Sequence, residues 1–285
     1  SNVMAEAGLA NILRWVPFPV NELDLRNRIK NKMIRPTSIP QTLEDLVVEQ
    51  AICREALRLS FVQHRTLAVG LKGKQQSRDI SDALTQSATG ESLVNLLDLG
   101  LVVGSGGVLS HAPRRAQALL MMLDAFLPEG VTEVAVDSIF MTPQLGVLST
   151  VHEQAATEVF ERDCLIVLGA CVAPIGAGKP GQPCMTVEVR TAAGAVSTHR
   201  AACGDMMLVP GAGHERWTLT VTPERGFDVG AGRGKPLTRD VRAGEVGLVL
   251  DARGRQPFAL PSDDAARIDR LRAWNRALAI YPREL

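Results

Sequence analysis

The sequence predicts an α/β chain in four parts: a helical block over residues 1–98, a strand–helix–strand half-domain over 99–173, a β-rich segment over 174–260 folding as a small antiparallel barrel or sandwich, and a closing helix over 261–285. Three observations carry this. Residues 41–65, QTLEDLVVEQAICREALRLSFVQHR, set apolar side chains at helical spacing with charges between them. Leu101 to Val103 and Val131 to Val136 are short apolar runs flanking a helical pattern, the layout of a parallel pair with a helical crossover. After about Pro174 the texture alternates, as in Met185, Val187, Val189 and again in Trp217, Leu219, Val221, with Gly- or Pro-containing turns between.

Taken in order, VMAEAGLANILRW near the start reads as helix. The chain opens Ser-Asn-Val without an initiator Met, so the expectation is a portion of a longer protein. Thr42 with Asp45 three positions on is a capping-box start after Pro40, and that helix should stop near Gly70. The polar stretch KGKQQSRDISDALTQSATG predicts a loop, followed by a short helix from Glu91 to Asp98. Pro113 to Phe126 is helical, with Ala116, Leu119, Leu120 and Leu123 on one side. Val151 to Arg162 predicts a further helix and Cys164 to Leu168 a buried strand. The last helix, Asp264 to Ile280, starts after Pro261-Ser262-Asp263 and is stopped by Pro282.

Charge excludes several function classes. Lys plus Arg and Asp plus Glu number 31 each, so no field of one sign attracts nucleic acid or an anionic membrane. No apolar run reaches the roughly 20 residues of a membrane span, and the start lacks a signal-peptide layout, which predicts a cytoplasmic protein. Cys53, Cys164, Cys171, Cys184 and Cys203 are odd in number and contain no Cys-x-x-Cys pair, so neither a disulfide framework nor a zinc site is expected. His199 and His214 do not complete a zinc set with Cys184 and Cys203.

Chemistry concentrates at Gly104-Ser105-Gly106-Gly107, where an apolar strand gives way to a helix. Backbone N–H groups at such a junction, with no Cβ to block approach, suit a ligand's phosphate, ribose or base; a tight structural corner uses the same residues. Asp137 ends the second strand at the carboxyl edge, where it either meets a ligand or caps the next turn. His111 reads as a cap or surface residue, and Arg114 and Arg115 as a first-turn pair that either is solvated or faces an anion. The run RGFDVGAGRGK has neither a Walker pattern nor the position of a phosphate loop, which leaves a long glycine-rich turn or a docking loop.

The stretch DLGLVVGSGGVLSHAPRRAQALLMMLDAFLPEGVTEVAVDSIFMTPQLGVLSTV resembles the second half of the actin/Hsp70/sugar-kinase ATPase superfamily. Within it, GSGGVLSHAPRRAQ, AVDSIFMTPQLGVLSTVH, AATEVFERDCL and RGFDVGAGRGK, together with NKMIRPTSIPQTLEDLVVEQAICREALRL, resemble the MutL/GlmL family associated with glutamate mutase, distinct from the mismatch-repair protein of the same name. The resemblance implies the C-terminal half of an actin-like ATPase fold and an ATP-dependent reactivating factor that frees a mutase of damaged cobalamin. It implies an adenosine motif at Gly104, Ser105, Gly106 and Gly107, with Val108 and Arg114 as neighbours touching the base or ribose, and a hinge-side glycine at Gly146. It further implies ATP or ADP with Mg in the full-length protein, and cobalamin only through the partner mutase. The Asp-x-Gly phosphate loops expected upstream are missing from this sequence, so the chain alone is expected to bind nucleotide weakly and not to hydrolyse it. The implied partners are the mutase subunits and an N-terminal half of the same protein; homo-oligomerisation is compatible with the sequence. A scaffold that docks the mutase without nucleotide is the alternative.

Overall fold

The structure, a computed structural model, describes residues 2–67, 94–211, 213–255 and 258–282, with side chains from residue 7 onward except at 66 and 67. The predicted polar loop at 72–90, the stop near Gly70 and the first part of the predicted helix at 91–98 lie outside the described residues; Leu96–Asp98 is one 3-10 turn.

Three helices come first: α1 (Asn2–Leu13), which bends at Gly8, α2 (Glu22–Ile34) and α3 (Leu43–Leu67). Asn21 caps α2 through Leu23 N, and Thr42 Oγ1 accepts from Asp45 N at 3.1 Å at the start of α3, as the capping pattern predicts. Strand β1 (Leu101–Ser105), the one-turn helix α4 (Gly107–Ser110), α5 (Arg115–Phe126) and β2 (Gly130–Asp137) follow. The parallel pairing of β1 and β2 agrees with the strand–helix–strand reading. Helices α6 (Thr142–Ser149) and α7 (Glu153–Val159) then lead through a π-turn at Phe160–Cys164 into β3 (Leu165–Ala173), antiparallel to β2.

The remaining strands are β4 (Ile175–Gly176), β5 (Pro183–Thr191), β6 (Val196–Ala202), β7 (Met206–Pro210), β8 (Gly213–Pro223), β9 (Phe227–Asp228), β10 (Leu237–Gly244) and β11 (Gly247–Asp251), before α8 (Asp264–Ala277). Among the described residues two larger open sheets result, one ordered β1-β2-β3-β11-β7 and one ordered β10-β8-β5-β6, besides the two-stranded pair β4-β9. The barrel alternative is thereby corrected: neither sheet closes. The reason lies in β7 and β11, which leave the β-rich segment and extend the first sheet beyond β3.

Alternation along β3 and β11, broken in β3 by a bulge at Leu168, decides which layer covers which face. Leu168, Cys171 and Val249 join the cluster with α5, α3 and α8, which includes Leu119, Leu123, Val47, Ala51 and Trp274. Ala170, Val172, Leu248 and Leu250 point the other way and meet Val187, Val189, Leu219 and Val221 of the four-stranded sheet. The helices α1 and α3 share the first cluster with α5 rather than forming a core of their own.

Strands β3, β11 and β7 approach too closely for side chains at two points. A Cβ on Gly169 would lie 1.9 Å from Gly247 O, and one on Gly247 2.1 Å from Val209 O. Glycine is therefore required there by backbone proximity.

Buried charge ties the layers together. Asp124 of α5 accepts from Arg54 Nε of α3 at 2.6 Å and from Arg253 Nη1 at 2.7 Å. Asp251, at the end of β11, pairs with Arg253 and Arg255, each at 2.8 Å. Burial opposes the charge on Asp251, but the two guanidiniums outweigh it and hold the carboxyl well below its usual range. Arg253 also stacks over Phe258 and Trp274.

Candidate functional site

The glycine junction lies at the carboxyl end of β1, beside that of β2, with Gly104 opposite Val136 and Ser105 opposite Asp137. The glycines divide into two kinds. A Cβ on Gly104 would meet Leu109 Cδ1 and Met122 Sδ at 2.7 Å, so this residue lets α4 and α5 settle on the strand. Gly106 has φ 119° and ψ 153°, a conformation open to glycine alone. At Gly106 and Gly107 a Cβ would meet nothing within 4 Å. The corner thus turns on Gly104 and Gly106, and Gly106–Gly107 also leaves main chain uncovered.

Helix α4 closes the turn. Leu109 N and Ser110 N donate to Gly106 O at 3.0 and 2.9 Å, and His111 N donates to Gly107 O at 3.0 Å. By helix geometry the N–H groups of Gly107 and Val108 have no intrahelical acceptor. The Val108 side chain, however, packs against the helix-side core. His111 is exposed at the end of α4.

Asp137 is buried, and the following loop surrounds its carboxylate. Oδ1 accepts from Ile139 N and Met141 N at 3.3 Å each, and Oδ2 accepts from Thr142 N at 3.0 Å and from Thr142 Oγ1. Burial pushes this carboxyl up, and the hydrogen bonds led by Thr142 more than offset it, leaving it below its ordinary value. Of the two roles open from sequence, the geometry displays capping of the turn into α6. Ser110 Oγ donates to Asp137 O at 2.7 Å and fixes α4 to this edge, a contact that no sequence pattern signalled. The capped loop holds Phe140 at φ 58°.

Arg114 starts α5. Its N–H donates to Gln117 Oε1 at 3.3 Å and its Nη1 to Ala279 O at 3.0 Å, so its guanidinium joins the C-terminal segment. Arg115 Nη1 donates to Ser110 O, and its Nε lies 3.3 Å from Glu245 Oε2. Gly146 sits within α6, solvent-exposed, with nothing near its missing Cβ. The structure thus brings Ser105, Gly106, Gly107 and Asp137 to one sheet edge, and turns Val108 and Arg114 toward the core and the C-terminal segment. Among the described residues no group of His, Cys, Asp and Glu could hold a metal ion, and no helix is long and apolar enough to cross a membrane.

A family model described as MutL protein matches residues 1–164. No curated protein and no solved structure matches the chain. The match contains β1, the glycine turn, α5 and β2, and covers more than half of the 285 residues. The chain therefore belongs to the MutL family, the glutamate mutase-associated one.

Proposed function

We propose that the chain is the nucleotide-sensing part of an ATP-dependent, chaperone-like reactivating factor for a cobalamin-dependent mutase, either glutamate mutase or a related aminomutase. The observation that carries this is the bare main chain at Gly106–Gly107, on the carboxyl edge of a parallel strand pair and in the part of the chain that the MutL family model matches. Adenosine would lie across Ser105–Gly107, with the N–H groups of Gly107 and Val108 available to its polar atoms. The Asp137 carboxylate serves its own loop, so a metal-bound phosphate tail would take its ligands from an N-terminal part of the protein carrying the Asp-x-Gly loops. Differential binding of ATP and ADP would then shift the angle between the two parts and act on the mutase subunits. Cobalamin enters only through that partner.

A docking scaffold without nucleotide is the second reading. The apolar display beside the turn favours it, since Ile139, Phe140, Val147 and Val151 are 57, 56, 71 and 82% exposed.

Calorimetric titration separates the two. ATP and ADP are titrated into the chain alone, and into its mixture with a separately produced N-terminal part, using wild type and Gly107→Leu. Binding in the wild-type mixture that Gly107→Leu abolishes supports the nucleotide reading. A stably associated mixture that binds neither nucleotide leaves the scaffold.

A further inference from the structure

The glycine-rich run 225–235 builds a surface separate from the nucleotide edge. Strands β4 and β9 pair antiparallel, Ile175 opposite Asp228 and Gly176 opposite Phe227. Beyond this pair the chain stays close: a Cβ on Gly178 would lie 2.6 Å from Cys203 Sγ and 3.0 Å from the ring of Phe227. The returning limb is as close, with Gly234 N donating to Phe227 O at 2.8 Å, and a Cβ on Gly234 would lie 3.2 Å from Arg225 Cα. Three backbone segments therefore converge, and Lys179, Arg225, Arg233 and Lys235 branch from them. All four are exposed, and none makes a side-chain hydrogen bond or ion pair among the described residues. The exposed Arg162, in contrast, pairs with Asp163, and Arg28 with three carboxylates.

The base beneath these cations is self-satisfied. Asp228 Oδ1 accepts from Gly230 N at 2.8 Å and Gly232 N at 2.9 Å, and Lys235 N donates to Gly232 O at 3.0 Å. Lys179 is fixed at its backbone, its N donating to Gln182 Oε1 at 3.1 Å. The amides that would cradle a phosphate are thus occupied, and the loop sets four cations against two carboxylates, Glu224 and Asp228, neither in an ion pair among the described residues. What remains free is long, cationic side chains on a fixed frame, in a chain that is neutral as a whole.

We propose that this loop is a docking surface for an acidic protein segment, a run of Asp and Glu side chains held by charge. Such a contact forms fast and weakens as salt rises.

The test uses the full chain and a fluorescein-labelled peptide of ten glutamates, followed by fluorescence anisotropy at low and high salt. One variant carries Lys179→Glu, Arg225→Glu, Arg233→Glu and Lys235→Glu. A control makes the same net charge change at other exposed cations, by Arg26→Glu, Lys30→Glu, Arg200→Glu and Arg276→Glu. Thermal melts check that each is folded, and the four-glutamine form of the loop replaces the glutamate form if that one is not. The expected result is salt-sensitive binding weakened about tenfold or more by the loop variant and within about twofold of wild type for the control. Equal weakening by both variants, no binding by wild type, or tighter binding of inorganic polyphosphate of equal charge would each overturn the proposal.

Discussion

Replacing Asp124 by Asn removes one charge from the middle of the molecule at nearly constant volume. Asp124 is 3% exposed, and each of its oxygens meets a different guanidinium, Arg54 at 2.6 Å and Arg253 at 2.7 Å. Arg253 keeps Asp251 at 2.8 Å, so one cation rather than two loses its only carboxylate. That cation is Arg54, 4% exposed and left with the Tyr281 phenol. The asparagine amide also aims an N–H at a group that only donates. Breaking a buried pair costs about 3–5 kcal/mol, and the partner retained by Arg253 places this change near the lower end, about 3 kcal/mol. For a chain of this size that is a fall in melting temperature of roughly 6–12 °C. Arg115→Ala is the control: its ion pair with Glu245 is partly exposed, and its loss should cost under about 1 kcal/mol. Urea unfolding monitored by circular dichroism measures both. An Asp124→Asn chain within about 1 kcal/mol of the parent, or one no worse than Arg115→Ala, would refute the idea that this network holds α3, α5 and the end of β11 together.

Further outcomes follow from the same geometry. Asp251 has its folded-state carboxyl held below the ordinary value by Arg253 and Arg255, so its contribution is present above the unfolded value near 4 and is lost as pH falls below it. Urea unfolding at stepped pH should show stability falling from about pH 4 downward, and Asp251→Asn should flatten that limb while lowering the plateau. Burial pushes the thiols of Cys171 and Cys184 up to about 12 and that of Cys53 up to about 11, so a thiolate-directed reagent at pH 8 should label these slowly in the native chain and all five cysteines quickly in denaturant. Gly106→Ala should destabilise by about 1–3 kcal/mol through its positive φ, while Gly107→Ala should stay within about 0.5 kcal/mol of the parent; unfolding midpoints decide this, and equal effects would remove the distinction between the two glycines.

The readable parts of this fold are those set by neighbours in sequence. The Thr42 cap, the strand–helix–strand run through α5 and the Asp263 cap on α8 all act within a few residues, and each stands where the pattern predicts it. The order of the strands is a non-local matter. Nothing in the apolar run Gly247–Asp251 says that it pairs with Gly169–Val172 rather than with its neighbour β10, so a barrel and a sandwich look alike in the sequence. Buried charge was illegible for a different reason, because polarity alone assigns Arg54, Arg253 and Arg255 to the surface. Asp124 inside the apolar helix segment LLMMLDAF, and Asp251 closing an apolar strand, were the available signals, since a carboxylate in such company needs a cation. At the candidate site the sequence located the glycines, but the division of labour between Gly104 and Gly106–Gly107 needed the positions of Leu109 and Met122.

We propose Gly106–Gly107 as the place where nucleotide meets this chain. The most direct measurement is the backbone amide spectrum of the isotope-labelled chain, bound to its N-terminal part, as ADP is added. Saturable shifts are expected at Ser105, Gly106 and Gly107, with Gly226, Gly230, Gly232 and Gly234 unmoved. Saturable shifts confined to any other part of the chain, or none at all in a mixture that binds ADP by calorimetry, would contradict it.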